Sequence, residues 1–242
     1  MRTPRLAPVL AATCVFAAGC SATVDGVAVE QAPAAAPGPA RALEVVLPTT
    51  DELSDALGIA PTGLMGQLVA GGADTLLRGV DRAEATPVEC VSTTYRLQEA
   101  VYGASSVRSV ASRSWAAGTV DGPALSGFFG VVQLASADEA QAFFAAAAQD
   151  WRDCDGRTMV LQRGGTAAGE QSRITDVRVD GPVVSAVVVH EAAGSGMPIQ
   201  RALGVAGDSI VDVEVTDIAG ARAGGAGGAV DVAALMLEKL TG

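Results

Sequence analysis

The single histidine, three close carboxylate pairs and a glycine-rich run are the places in this chain where types and spacing could do chemistry. His190 closes the apolar run Val187-Val188-Val189, and alternation places it on the opposite strand face from Val189 and Glu191. With a nucleophile and an orienting acid it could serve a hydrolase. However, no Gly-x-Ser-x-Gly elbow accompanies it, and Gly194-Ser195-Gly196 reads as a loop turn. A lone histidine at a strand end reads as a structural or surface residue. The pairs Asp150 with Asp153, Asp153 with Asp155, and Asp212 with Glu214 have the residue types of a glycosidase. The first two pairs lie about a helix end, and Asp212 and Glu214 share one strand face that is expected to meet water. Nothing therefore sets two acids across a cleft. The run Gly224 to Gly228 lacks the Lys-Ser/Thr of a phosphate loop, and no twelve-residue calcium loop occurs. No catalytic residue, metal or cofactor is assigned.

The four cysteines say more. Arg2 and Arg5 precede an apolar stretch from Leu6 to Ala18, and Ala17-Ala18-Gly19 runs directly into Cys20. This is the order of a secretory signal, too short to span a bilayer. The small residues before cysteine resemble the bacterial lipobox, with Ala17 where leucine is commonest. Residues 1–19 are read as a lipoprotein signal peptide and Cys20 as the lipidated first residue, tied to the cell membrane on its outer side. Acyl chains contribute about 0.8 kcal/mol per buried methylene, so a multiply acylated cysteine anchors firmly. Cys14 lies inside the apolar stretch and leaves with it. Cys90 and Cys154 remain, in a compartment that permits disulfides, and read as paired in preference to free or metal-binding.

Residues 20–41 are rich in Ala and Pro, without helical or alternating period, and read as a disordered tether. Residues 42–242 suffice for one domain. The formal charge of −11 becomes −13 once Arg2 and Arg5 are removed. An acidic body with one lysine, Lys239, excludes a phosphate-backbone partner, so no nucleic acid is expected.

Thr49 and Glu52 form a capping-box pattern ahead of a short helix through Leu53, Leu57 and Ile59, with Pro61 as its stop. A second short helix is expected near Leu64 to Val69, and a strand over Cys90 to Tyr95. Strands are also expected over 106–115 and 128–135. Ser136 and Glu139 cap the best helix, Ala137 to about Arg152, whose Phe143, Phe144, Ala147, Ala148 and Trp151 form an apolar stripe. Then come strands over 158–162, 174–179, 183–191, 200–206 and 209–215, with turns at Asp180-Gly181 and Gly207-Asp208 implying antiparallel pairing. Residues 220–228 read as a linker. A last helix, Val230 to Leu240, is expected to present Val230, Ala233, Ala234, Leu237 and Leu240. The class is α+β, an antiparallel sheet with helices packed on it.

The order of these parts resembles the PknH-like extracellular sensor domain of mycobacteria and their relatives. The resemblance runs over residues 45 to 240, through Leu47-Pro48-Thr49, Glu89-Cys90-Val91, Tyr102-Gly103 and Val131-Val132-Gln133-Leu134. Its most specific parts are Trp151-Arg152-Asp153-Cys154-Asp155-Gly156 and Gln200-Arg201-Ala202-Leu203. It implies a Cys90–Cys154 disulfide, a mixed fold with helices on an antiparallel sheet, and a cleft proposed to bind a ligand. The family's second bridge is missing, because Ile199 stands about where its third cysteine would be and residues 213–219 lack the fourth. The leading function is a non-catalytic sensor or ligand-binding domain for a small molecule or envelope component. The alternatives are an extracytoplasmic hydrolase, which needs His190 or an acid pair beside a nucleophile, and a protein-binding module with an exposed apolar patch.

Overall fold

A computed structural model describes residues 40–58, 63–118, 124–164, 169–192, 195–218, 225 and 227–242. The signal peptide, Cys20 and residues 20–39 of the tether lie outside the described residues. So do Pro61, Gly194 and most of the 220–228 linker. The first helix, α1 (Thr50–Leu57), forms as its capping box requires. The Thr49 hydroxyl accepts from Glu52 N, and the Glu52 carboxylate accepts from Thr49 N at 2.7 Å. Gly58, with φ +61°, ends it ahead of Pro61.

The expected helix near Leu64 to Val69 is instead two short strands, β1 (Gly63–Met65) and β2 (Val69–Gly71), both paired antiparallel to β4 (Ser109–Ala117). Between them and β4 lie β3 (Ala85–Thr86), a 3-10 turn over Val88–Cys90, α2 (Val91–Thr94) and α3 (Glu99–Tyr102). The strand expected over Cys90 to Tyr95 is thus a helical turn. Its β-branched residues favour a strand on propensity. Here the Thr94 hydroxyl bonds back to the Cys90 carbonyl at 2.9 Å, and the buried Val91 and Thr93 face the core.

The remaining elements are β5 (Leu125–Gln133), α4 (Ala137–Cys154), β6 (Thr158–Leu161), β7 (Glu170–Asp180), β8 (Val183–Ala192), β9 (Ser195–Ala206), β10 (Ser209–Asp217) and α5 (Gly227–Thr241). All named pairings are antiparallel, in the order β1-β4-β5-β10-β9-β8-β7-β6-β3, with β2 also on β4. Gly181 and Gly207, at φ +53° and +54°, make the two anticipated hairpin turns. At Ile199, where no second bridge can form, β9 pairs with Thr216 of β10 through the backbone ladder alone.

Alternating residues send the sheet's two faces into two cores. On one face, α4 and the segment around α2 cover Val110, Val132, Val184, Ala186, Leu203 and Ile210. On the other, α1 and α5 cover Ala111, Phe129, Val211, Val213 and Val215. Ser136 caps α4 by accepting from Glu139 N, but the Glu139 carboxylate accepts from Ala135 N and Ser106 N, so only half of the box forms. The expected stripe is buried at Phe144, Ala147, Ala148 and Trp151, and partly at Phe143. The α5 stripe is rotated from expectation: Ala229, Val232, Ala233, Met236 and Leu237 are buried and Ala234 is exposed. That helix is apolar nearly all round, so its period alone does not select a face. Cys154 ends α4 and is bonded to Cys90, pinning the helix end to the Val88–Cys90 turn in place of the strand expected there.

Candidate functional site

One ion pair inside the sheet positions the polar part of this molecule. Arg201 on β9 is fully buried, and its Nη2 lies 2.9 Å from Oδ1 of Asp212, itself 2% exposed. The approach is off the hydrogen-bonding line, so charge holds that oxygen. Arg201 donates to the carbonyls of Thr93, Ser92 and Val213 at 3.1 to 3.2 Å. Asp212 Oδ2 accepts from Leu97 N at 2.8 Å and from the Tyr102 hydroxyl at 3.0 Å. Burial, and then the nearby Asp212 charge, push the Tyr102 phenol well above its ordinary value. Both charges therefore clamp the same segment, Ser92 to Tyr102, onto the sheet.

Other contacts fix that segment's path. Trp151 Nε1 donates to the Ser92 hydroxyl at 3.1 Å, and Tyr102 stacks on Phe143 with ring centroids 4.9 Å apart. Leu97 sits at φ +46°, a conformation uncommon for a branched side chain, held by the Asp212 bond to its N–H. Its side chain lies against Gly130 of β5, where a Cβ would strike Leu97 Cδ1.

Two consecutive residues of the clamped segment reach opposite ways. Arg96 stacks over Phe128, with Cζ 4.0 Å from the ring centroid, and its Nη1 donates to both oxygens of Glu214 at 2.8 and 2.9 Å. Tyr95 donates its hydroxyl to Glu170 Oε1 at 2.8 Å and stacks against His190 with centroids 5.6 Å apart. Burial, then the bond to Glu170, raises the Tyr95 phenol far above its usual range.

Arg96 and Glu214 line a groove of about 420 Å³ with Leu64, Met65, Ser114, Ala116, Ser126 and Phe128. The register sets Leu64 opposite Ala116, Ala116 opposite Ser126, and Phe128 opposite both Ser114 and Glu214, so these residues share one face. Ser114 and Ala116 are exposed and Leu64 is 78% exposed, so none of the described helices covers this part of the face. The groove offers a half-buried ion pair, two hydroxyls and an apolar rim. That composition suits reversible recognition of a ligand with both polar and apolar parts.

The expectation that Asp212 and Glu214 face water is therefore corrected. The Asp212 side chain is 3% exposed and that of Glu214 14%, because the Ser92–Tyr102 segment covers their face. Asp150 and Asp153 do lie toward the end of α4, with Asp153 accepting from Gln149 at 2.9 Å. Burial, with Asp153 and Glu89 nearby, raises the Asp150 pKa. Asp155 accepts from Val177 N at 3.4 Å. Among the described residues, no group of three or more His, Cys, Asp or Glu is arranged to hold a metal.

His190 does have a hydroxyl neighbour. Ser172 Oγ lies 2.7 Å from its Nδ1, and Glu170 Oε1 lies 3.8 Å from the same nitrogen. A catalytic triad needs the nucleophile and the acid on opposite ring nitrogens, and an accessible nucleophile. Here both approach Nδ1, and Ser172 is fully buried.

Sequence reasoning missed Arg96, Arg201 and the roles of Asp212 and Glu214, although a signal was present. Counting outward from the two-residue Gly207-Asp208 turn pairs Arg201 with Glu214 and Leu203 with Asp212. That places an arginine beside two acids in an otherwise apolar hairpin.

The family model described as the PknH-like extracellular domain matches residues 39–239. No curated protein matches the chain. The crystal structure of the extracellular domain of PknH from Mycobacterium tuberculosis is similar, with a TM-score of 0.67, 20% identity, and coverage of 85% of this chain and 97% of that one. An X-ray structure of the Rv0999 ortholog from Mycobacterium smegmatis aligns at a TM-score of 0.39 and 9% identity, covering 83% of this chain and 98% of that one. The first of these shares the fold. No helix among the described residues is long and apolar enough to cross a membrane.

Proposed function

Since the chain belongs to the PknH-like extracellular domain family, we propose that it is a lipid-anchored, non-catalytic sensor domain that binds a small molecule or envelope component in the Arg96–Glu214 groove. The observation that carries this reading is the placement of that pair. A buried ion pair and a strained turn hold the groove wall in position, and such preorganisation lowers the ordering cost of binding. The Ser172, His190 and Glu170 geometry supports a role without catalysis. Near the start of the described residues, the Arg41 N–H donates to Gln133 Oε1 and its guanidinium lies 3.4 Å from Asp208. Those residues stand at one end of β5 and β10, and the groove lies toward the other.

Fractions of the host's own envelope containing the ligand should raise the melting temperature of the protein by mass action. Arg96→Ala removes the groove's cation and its stacking on Phe128, and should abolish that rise. A variant that responds as the wild type does places the ligand elsewhere. The anchor has its own test. Cys20→Ser should move the protein from the detergent phase to the aqueous phase in phase partitioning, and continued partition with detergent would rule out lipidation at Cys20.

A further inference from the structure

His190 stands beside Glu170, one of the two carboxylates that hold the Tyr95–Arg96 stretch. Tyr95 is held by Glu170 on β7 and Arg96 by Glu214 on β10, and the imidazole lies beneath the Tyr95 ring with an interplanar angle of 28°. The charged groups acting on it are Glu170 and Glu214, which favour its protonation, and Arg201 on β9 and Arg96, which oppose it. Arg163 reaches the second oxygen of Glu170 at 3.4 Å, and the Ser172 hydroxyl completes the surroundings at Nδ1. Glu191, next along β8, points to the other face of the strand.

We propose that His190 is a proton-operated control on the groove, which rests on reading the groove as the ligand site. With the imidazole neutral, Glu170 and Glu214 act on Tyr95 and Arg96. A proton on His190 puts a cation 3.8 Å from Glu170 Oε1, the very oxygen that accepts the Tyr95 hydroxyl. Arg96 follows Tyr95 directly in the chain, so release of the Tyr95 hydroxyl carries through the backbone to the Arg96 side of the groove. The Tyr95 contact loosens, the adjoining Arg96 side of the groove shifts with it, and the groove opens on acidification.

Burial, more than any neighbouring charge, lowers the imidazole below its ordinary value of 6.5. The unfolded chain then binds more protons than the folded one just below that value. His190 therefore costs stability increasingly as pH falls from 6.5 to the folded-state midpoint, in full below that midpoint, and nothing well above 6.5.

His190 is the chain's one histidine, so its ring Cε1–H signal is unambiguous in the full-length protein made without a histidine tag. In an NMR titration, that signal and the Arg96 Nε–H signal should follow one midpoint below 6.5. His190→Gln should leave the Arg96 signal flat through the same range. Glu170→Gln, which keeps the imidazole, should lower the midpoint further, and it serves if the first variant fails to fold. An Arg96 signal that stays flat through the His190 midpoint, or moves equally in His190→Gln, overturns the proposal. The titration contains no ligand. Failure of the groove as a ligand site would appear in the melting experiment and leave this readout untouched.

Discussion

Arg201→Met is expected to destabilise the protein by about 3 to 5 kcal/mol, a loss comparable to much of the stability of an ordinary domain. Methionine approximates the aliphatic length of arginine but leaves Asp212 buried at 2% exposure with no cation. Three backbone carbonyls also lose their donor, and each buried orphan adds to the loss. Urea unfolding reads this as a lower midpoint at unchanged slope. Adding Asp212→Asn should recover part of the loss, because the uncompensated charge is then gone. A double-mutant cycle gives the coupling. A loss below about 1 kcal/mol in the single variant would contradict the clamp.

Removing the Cys90–Cys154 bond should cost about 4 kcal/mol in the chain-entropy treatment of a loop of this length. The bond closes a separation of 64 residues, and both cysteines are fully buried. The effect acts mainly on the unfolded chain, which gains the freedom that the crosslink withheld. There is a local consequence too, because the bond ties the end of α4 to the turn leading into the clamped segment. The double variant Cys90→Ala, Cys154→Ala should unfold at a lower urea midpoint, and its slope should rise as the unfolded ensemble expands. An unshifted midpoint would show that α4 and the turn are held by their packing alone.

What was legible in the sequence was what short-range chemistry decides. The Thr49–Glu52 box, the Ser136 cap, the stripe on α4 and the glycine turns of the β7–β8 and β9–β10 hairpins each depend on residues within a few positions of one another. Val91 to Thr94 misled because β-branched residues favour strands, and only the tertiary core around Cys90 decides otherwise. Asp212 and Glu214 misled for a related reason. Their alternation with Val211, Val213 and Val215 suggests a half-exposed strand, but β10 is covered on both faces. Their partners Leu97 and Arg96 lie 115 and 118 residues away, a pairing that no local pattern encodes. The Gln200-Arg201-Ala202-Leu203 element stood out by resemblance before its role was visible. Its arginine proves to be the cation of the clamp.

Whether a ligand binds in the groove beside the Arg96–Glu214 pair, as proposed, is decided by native mass spectrometry of protein purified from its own host's envelope, with Arg96→Ala alongside. A ligand in the groove gives a reproducible added mass on the wild type that is absent from the variant. A bare disulfide-bonded mass for both, or the same added mass retained by Arg96→Ala, would contradict that placement.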